Sequence, residues 1–296
     1  MNITTPTTRG GVARHATSVA LQWRLLLLWA GATLVPTAML AWPFWATLAG
    51  QLDRSMYAAQ WAKQLDAVVL GDLVSKLMDN HVALIQAGFS AVILTWLLSP
   101  LVNGAIVAAA RAKEPLGWVP LLQKGLHDYG RMARMWVWAL LLLGAAGAAA
   151  SGLFYLAGKY ADKAILESDV SIANRAAMIV TALVILLIHL SVDVGRAQLA
   201  IYPGRSSAVK AWWRACKMVK SRFWGTLGFY VGFTLAGLVL ALVVTALRVA
   251  LPQLGVVWFI LGVVLAQFAV LAIGWLRITR LVAMVDLAQA RRDAGK

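Results

Sequence analysis

Six long runs of apolar residues constrain this chain more than any other feature of its sequence. Hydrocarbon about 30 Å thick is crossed by roughly 20 apolar residues in a helix. The chain of 296 residues is 61% apolar and 13% charged, and six such runs would leave a soluble fold without a polar exterior. The sequence therefore predicts an all-α polytopic membrane protein, a single membrane domain over residues 1–296. We expect transmembrane helices at about 25–49, 82–110, 135–157, 176–201, 225–251 and 255–276.

The first run could also be read as a cleaved signal peptide, because arginines precede it. It is longer than the apolar core of a signal peptide and lacks a clear small-x-small cleavage site. We therefore interpret it as a retained transmembrane helix.

Positive charge is distributed unevenly between the two sides of these six helices. The net charge is +15; the segments on the side that holds both termini carry 20 basic and 4 acidic residues, and the opposite connections carry 7 of each. Excess Lys and Arg mark the cytoplasmic side of a membrane protein. We expect a multi-pass protein of the bacterial inner (plasma) membrane, with cytoplasmic N- and C-termini. Its expected partners are anionic lipids of the inner leaflet rather than nucleic acid.

A short basic segment, here called an elbow segment, precedes each odd-numbered run. Apolar residues recur in it every three or four positions, which predicts an amphipathic helix on the inner leaflet. These apolar residues are Val12, Ala16, Val19 and Trp23 in the first elbow segment, Trp118, Leu122, Leu126, Tyr129 and Met132 in the second, and Val209, Trp213, Cys216, Val219 and Phe223 in the third. The predicted contacts to anionic lipid are Lys124, Arg131, Lys210, Arg214 and Lys217.

The elbow segments suggest an internal repeat. Each even-numbered run leaves the membrane through a glycine, Gly104, Gly195 or Gly274, followed by further apolar helix with basic residues. Three elbow-plus-hairpin pseudo-repeats are predicted, at about 10–110, 117–205 and 206–290. On the other side, the four-residue spacing of Leu65, Val69, Leu73 and Leu77 predicts one amphipathic surface helix.

No residue pattern indicates a catalytic, cofactor-binding or metal site. The four histidines lack metal-binding spacing, and no phosphate-binding loop, dinucleotide fingerprint or serine-hydrolase motif occurs. The sequence leans against an enzyme, although residues from separate helices can still assemble an intramembrane active site.

One constellation of ionisable residues lies within the fourth run: His189, Asp193 and Arg196, spaced four and three apart on one helix face. Ionisable residues at membrane depth are functional suspects. They could relay a proton or bind a polar headgroup. The favoured interpretation is a local Asp–Arg pair near the cytoplasmic end of the helix, with Arg196 reaching the interface.

A resemblance rests on the three glycine exits and two basic-aromatic entries, Arg131 to Trp136 and Lys220 to Trp224. On these the chain resembles the six-helix membrane domain attached to some bacterial glycerophosphodiester phosphodiesterases, and the related uncharacterised stand-alone inner-membrane proteins. The resemblance implies the six-helix fold. It carries over no catalytic residue, because the chain contains no counterpart of the phosphodiesterase barrel.

Three functions are compatible with the sequence. The first is a non-enzymatic accessory or scaffold protein in envelope or lipid homeostasis, acting with a membrane-protein partner or as a homo-oligomer. The second is a permease or lipid-handling transporter, and the third is an intramembrane lipid enzyme. Small residues from Gly144 to Gly152 permit close helix packing, within the chain or against another subunit.

Overall fold

The computed structural model describes residues 8–53, 55–57, 67–163, 166–202, 204, 207–252 and 255–295. Within these residues the chain is all-α, with ten helices and no strand. The helices are α1 (Arg9–Ala20), α2 (Trp23–Leu52), α3 (Ala67–Asp79), α4 (His81–Ala110), α5 (Trp118–His127), α6 (Tyr129–Ala161), α7 (Glu167–Ile201), α8 (Ala208–Ser221), α9 (Phe223–Ala250) and α10 (Val256–Ala294). Six of them, α2, α4, α6, α7, α9 and α10, are long and apolar enough to cross a membrane, and we call these the spans.

Three spans extend at one end by six residues or more beyond their predicted apolar runs. Helix α6 begins at Tyr129 instead of 135, α7 begins at Glu167 instead of 176, and α10 continues to Ala294, well beyond 276. Hydropathy detects only the part of a helix that matches the bilayer, whereas packing decides where the helix ends. The extension of α10 is packed, because Ile278 and Val285 are completely buried. The tail after residue 276 is thus part of the last span.

The spans pack as three antiparallel hairpins, α2 with α4, α6 with α7 and α9 with α10, and α10 also contacts α7, α4 and α2. In the most apolar stretch of each span, only 6–50% of the residues are buried inside the protein. Apolar side chains on so much of the outer surface suit a helix bundle surrounded by lipid.

The segments that carry the excess of basic residues, including both termini, meet at one end of the bundle, which we call the basic end. It consists of α1, α5, α8 and the C-terminal thirds of α4, α7 and α10. Arg24 donates a hydrogen bond to the carbonyl oxygen of Leu116 (3.2 Å), and Arg292 donates one to that of Ile201 (3.0 Å). Most of the hydrophobic core lies here, in residues 102–110, 190–201 and 276–288. The two termini of the described chain are therefore at the same end.

The short helices α1, α5 and α8, which correspond to the elbow segments, each pack mainly on one span. Helix α5 packs on α4 and α8 packs on α7, each on the span that precedes it, while α1 packs on the last span, α10. A glycine allows the first approach, because a Cβ on Gly104 would lie 2.6 Å from the carbonyl oxygen of Gly125, whereas a Cβ on Gly195 would first meet the side chain of Met135 in α6. Gly274 differs, because it faces Trp29 of α2 rather than a short helix. The pseudo-repeat stays a prediction, and its boundary at 205/206 lies outside the described residues.

The predicted apolar faces are buried in only one of the three short helices. Helix α1 buries Val12, Ala16 and Val19, as the spacing indicates. Helices α5 and α8 instead bury small residues such as Gly125 and Ala211, because small side chains permit close packing on α4 and α7. Leu121 and Met218 are buried as well, but most of the larger apolar residues point outward, including Leu122, Leu126, Val209 and Trp213.

The amphipathic helix predicted on the opposite side of the bundle is present as α3. It covers Leu73 and Leu77, two of the residues whose four-residue spacing predicted it. Leu65, the first residue of that pattern, lies outside the described residues.

Candidate functional site

A buried carboxylate lies where the apolar part of α7 meets the basic end. Asp193 is only 5% exposed. Its Oδ1 accepts a hydrogen bond from Arg196 Nη1 (2.5 Å), and its Oδ2 lies 2.9 Å from Nη2 of Arg280 on α10. One carboxylate therefore joins arginines of two different spans.

A third arginine, Arg277, lies one helical turn before Arg280 on the same helix and has no carboxylate partner among the described residues. It makes no ion pair or hydrogen bond within the described part of the chain, and its guanidinium carbon lies 5.0 Å from the ring centroid of Trp29. The indole also lies directly against Gly274, where a Cβ would overlap it. Gly274 thus allows Trp29 to lie close enough to α10 to support Arg277 by a cation–π contact.

Arg280 is held by α9 as well as by Asp193. Its guanidinium carbon lies 4.2 Å from the ring centroid of Tyr230, and Nη1 lies 3.5 Å from the hydroxyl oxygen of Thr234. Tyr230 is 1% exposed. This packing fixes the position of Arg280, while its Nε, like that of Arg196, is buried and has no hydrogen-bond partner among the described residues.

These arginines line a cavity of about 390 Å³ between α2, α6, α7 and α10, which we call the arginine cavity. Helices α6, α7 and α10 contribute most of the lining. Their apolar lining residues lie further into the spans, and the arginines lie nearer the basic end. The cavity is lined by Trp29, Trp136, Ala139, Leu140, Leu143, Ile188, His189, Val192, Asp193, Arg196, Ile273, Leu276, Arg277 and Arg280.

The arginine cavity has an excess of positive charge. Three arginines and one aspartate give its lining a formal charge of +2, with His189 neutral. Charges removed from water need partners, and the two buried Nε–H groups lack them within the described residues. Guanidinium groups bind carboxylate and phosphate oxygens with directed pairs of hydrogen bonds. The arrangement is therefore suited to an anionic group.

The structure brings Asp193 and Arg196 together as the local pair that the sequence favours. The pair is buried: side-chain exposures are 7% and 10%, so Arg196 does not extend to the surface. His189 lines the cavity but does not touch Asp193; its Nδ1 lies 3.0 Å from the carbonyl oxygen of Ile185 in its own helix.

Sequence reasoning missed Arg277 and Arg280, because both lie just beyond the last apolar run and were counted with the tail. A usable signal was present. The two arginines are three residues apart and therefore share one face of a helix, as Asp193 and Arg196 do on theirs. A lone acid on one span and paired arginines at the same depth on another indicate an interhelical cluster.

A second buried carboxylate, Asp128, lies at the turn between α5 and α6 and is 2% exposed. Its two oxygens lie 2.7 Å from Arg111 Nη2 and 2.7 Å from Arg131 Nη1. The same arginines also bond the C-terminal end of α7: Arg111 Nη1 donates to the carbonyl oxygen of Ala200 (3.0 Å), and Arg131 Nη2 donates to that of Tyr202 (3.0 Å). We call this group the Asp128 cluster.

Arginines cap the C-terminal end of α7 at four successive carbonyl groups. Arg131 also donates to the carbonyl oxygen of Leu199, and Arg292 of α10 donates to that of Ile201. The last carbonyls of a helix have no partner in the helix itself and form the negative end of its dipole, so cations satisfy them well. Arg131 therefore bonds groups inside the protein and is only 11% exposed, and its contact with anionic lipid stays a prediction.

The remaining predicted lipid contacts are nearer the surface. Lys124, Lys210 and Lys217 are exposed, and Arg214 is half-buried beside the ring of Tyr202 (5.4 Å to the centroid). Arg214 and Lys217 line a basic cleft of about 330 Å³. These residues lie at the basic end, where the charge pattern predicts them.

A third carboxylate of the basic end has a titratable partner. Asp286 of α10 is 4% exposed, and its Oδ2 lies 2.8 Å from Nδ1 of His15 in α1. The hydrogen bond and the charge of Asp286 raise the pKa of His15, against the opposing effect of burial. This contact ties the first described helix to the last.

The described residues contain no group of three or more His, Cys, Asp or Glu side chains that could hold a metal ion. Comparison of the chain with protein-family models, with curated proteins and with solved structures finds no match.

Proposed function

We propose that this protein binds anionic lipids in the arginine cavity and takes part in lipid handling within a bacterial inner membrane. The observation that carries the proposal is the lining of that cavity, three arginines against one aspartate, at the junction of apolar spans and the basic end. Apolar walls on one side of the charges and a basic surface on the other match the polarity of a lipid, whose headgroup is charged and whose chains are apolar.

The orientation that we propose places the basic end, and with it both termini, in the cytoplasm. Its support is the excess of basic residues in the segments that meet there. The arginine cavity would then lie at the level of the inner leaflet. The exposed Lys124, Lys210 and Lys217 would raise the local concentration of anionic lipid, at about 1 kcal/mol for each cation close to the surface.

A second candidate function, an accessory or scaffold subunit, is supported by the outer face of α6. Gly144, Gly147 and Gly152 are exposed, and a Cβ on any of them would meet nothing within 4 Å. No other described part of the chain therefore packs closely against these three glycines. Such a face suits close contact with a helix of another protein or of a second copy.

The test of lipid binding uses the purified full chain in a mild detergent, titrated with phosphatidylglycerol or phosphatidylcholine and analysed by native mass spectrometry. We expect preferential retention of phosphatidylglycerol, and a loss of about tenfold or more in its affinity on Arg277→Gln, because a hydrogen bond to a charged group contributes about 1.5–3 kcal/mol.

The matched control is Arg134→Gln, which removes the same charge from an exposed arginine whose one hydrogen bond among the described residues goes to the Gly130 carbonyl of its own helix. Equal effects of the two substitutions would mean that overall charge, and not the arginine cavity, attracts the lipid. That result would overturn the proposed function. A stable complex with a second protein, with no lipid preference, would favour the scaffold role instead.

A further inference from the structure

We infer that the arginine cavity selects lipids whose headgroup is a phosphate monoester over those whose headgroup is a phosphate diester. This inference rests on the proposed function and specifies its ligand class. It follows from the charge of the cavity, from its unused hydrogen-bond donors and from the polarity of its walls.

The charge favours a dianion. Arg196, Arg277 and Arg280 outnumber Asp193 by two charges, and Asp193 already bonds two of the three arginines. A diester phosphate carries one negative charge, whereas a monoester carries nearly two at neutral pH. Only the monoester brings the lining of the cavity close to neutrality, which matters most where water is scarce.

The donors also exceed what a diester accepts. The Nε–H groups of Arg196 and Arg280 are buried without hydrogen-bond partners among the described residues. The whole guanidinium of Arg277 likewise makes no hydrogen bond within that part of the chain. A monoester phosphate presents three terminal oxygens and a diester two, so the monoester can satisfy more of these donors.

The walls leave little provision for a polar group beyond the phosphate. Besides the charged cluster, the only titratable side chain in the lining is His189, which is exposed and bonds its own helix. The other walls are apolar or aromatic, including Leu140, Leu143 and Ile188. They suit the start of hydrocarbon chains, whereas an alcohol esterified to the phosphate would find few polar partners.

The experiment compares phosphatidic acid, a monoester, with phosphatidylglycerol, a diester, in nanodiscs of phosphatidylcholine that contain the full chain. Bound lipid is counted by mass spectrometry after gentle extraction. About two pH units above the second ionisation of a phosphate monoester, which lies near pH 6, we expect phosphatidic acid to bind about tenfold more tightly, equivalent to about 1.4 kcal/mol. Arg277→Gln should remove this preference, and Arg134→Gln should retain it.

Lowering the pH below that ionisation provides a second readout, because the monoester then carries one charge and the preference should disappear. The titratable groups that line the cavity are His189, Asp193 and Arg196 from α7 and Arg277 and Arg280 from α10, and α2 and α6 contribute none. Tyr230 of α9 packs on Arg280 outside this lining. His189→Gln should leave the pH dependence intact. Its loss in that variant would assign the effect to the histidine and overturn the inference.

The remaining outcomes separate the two proposals. Equal affinity for both lipids, with both weakened by Arg277→Gln, would overturn the monoester preference and retain the proposed function. No effect of Arg277→Gln on either lipid would overturn both. Inorganic phosphate is the competitor that identifies the source of the phosphate: we expect it not to displace phosphatidic acid, and displacement at comparable concentration would show that a free anion is the ligand.

Discussion

Two buried carboxylates of this protein, Asp128 and Asp193, are each held by two arginines, yet their surroundings differ. At Asp128, Arg111 and Arg131 also donate to carbonyl groups at the end of α7, although the Nε of Arg131, like those of Arg196 and Arg280, is buried without a partner among the described residues. The negative end of a helix thus shares in balancing their charge. Within the described chain, no helix end balances the charge of the arginines at Asp193. Arg277 adds a further positive charge that has no carboxylate partner there.

The comparison separates a structural ion cluster from a binding one. An arginine that bridges a carboxylate and helix carbonyls has its role within the fold, and removing its partner affects only folding. An arginine that faces a cavity with a free N–H has capacity for a ligand. Ionisable residues in a membrane protein therefore need to be judged by what their remaining nitrogen atoms contact, and not by burial alone.

The largest effect is expected from Asp128→Asn, which leaves Arg111 and Arg131 without their carboxylate. Loss of one partner from a buried ion cluster costs about 3–5 kcal/mol. We expect a much lower midpoint of thermal unfolding in detergent, and no recovery on adding phosphatidic acid, because Asp128 is 2% exposed and both arginines already bond helix carbonyls. The control is Asp79→Asn in an exposed pair with Lys76. Recovery with lipid would contradict the closed character of the Asp128 cluster.

A smaller effect is expected from Asp193→Asn, which raises the formal charge of the arginine cavity from +2 to +3. The lost charged hydrogen bond lowers the free energy of unfolding by about 1.5–3 kcal/mol, and anionic lipid should restore much of the loss. Thermal unfolding with and without phosphatidic acid measures both. If lipid affinity falls as far as in Arg277→Gln, Asp193 is needed to position Arg196 and Arg280 for the ligand, and the net charge of the arginine cavity does not set the affinity.

Much of this fold is predictable because hydropathy and charge act over whole segments. The six spans and the short helices α1, α5 and α8 follow from apolar runs and from spacing at three and four residues. The extension of α10 to Ala294 was missed, since its helical structure depends on contacts with α1 and other spans that are distant in sequence.

The candidate site was only half predictable. Asp193 and Arg196 are three residues apart in one helix, so their pairing follows from helix geometry. The contact with Arg280 depends on how α7 packs against α10, and the position of Arg277 depends on Trp29 and Gly274. The fate of Arg131 likewise depends on the distant end of α7. Such interhelical contacts are not encoded in local spacing.

Asp286, the third buried carboxylate, differs from the other two because its partner, His15, is a histidine and not an arginine. Because the hydrogen bond with Asp286 raises the pKa of His15 in the folded protein, this contact stabilises the docking of α1 fully below the unfolded value of about 6.5. The stabilisation is lost as the pH rises through the raised folded pKa. The effect is about 1 kcal/mol or less, because the imidazole is 35% exposed and is screened by salt.

The pH dependence is measured by hydrogen exchange of the α1 amides, corrected for the intrinsic effect of pH on exchange. We expect protection of α1 to decrease at higher pH, and His15→Gln to abolish that dependence. His127→Gln is the control, because this histidine is exposed at the end of α5. Arginine partners keep their charge over this range, so the Asp128 cluster should show no such change. If α5 and α1 lose protection together, the basic end opens as one unit, and the three carboxylates do not act independently.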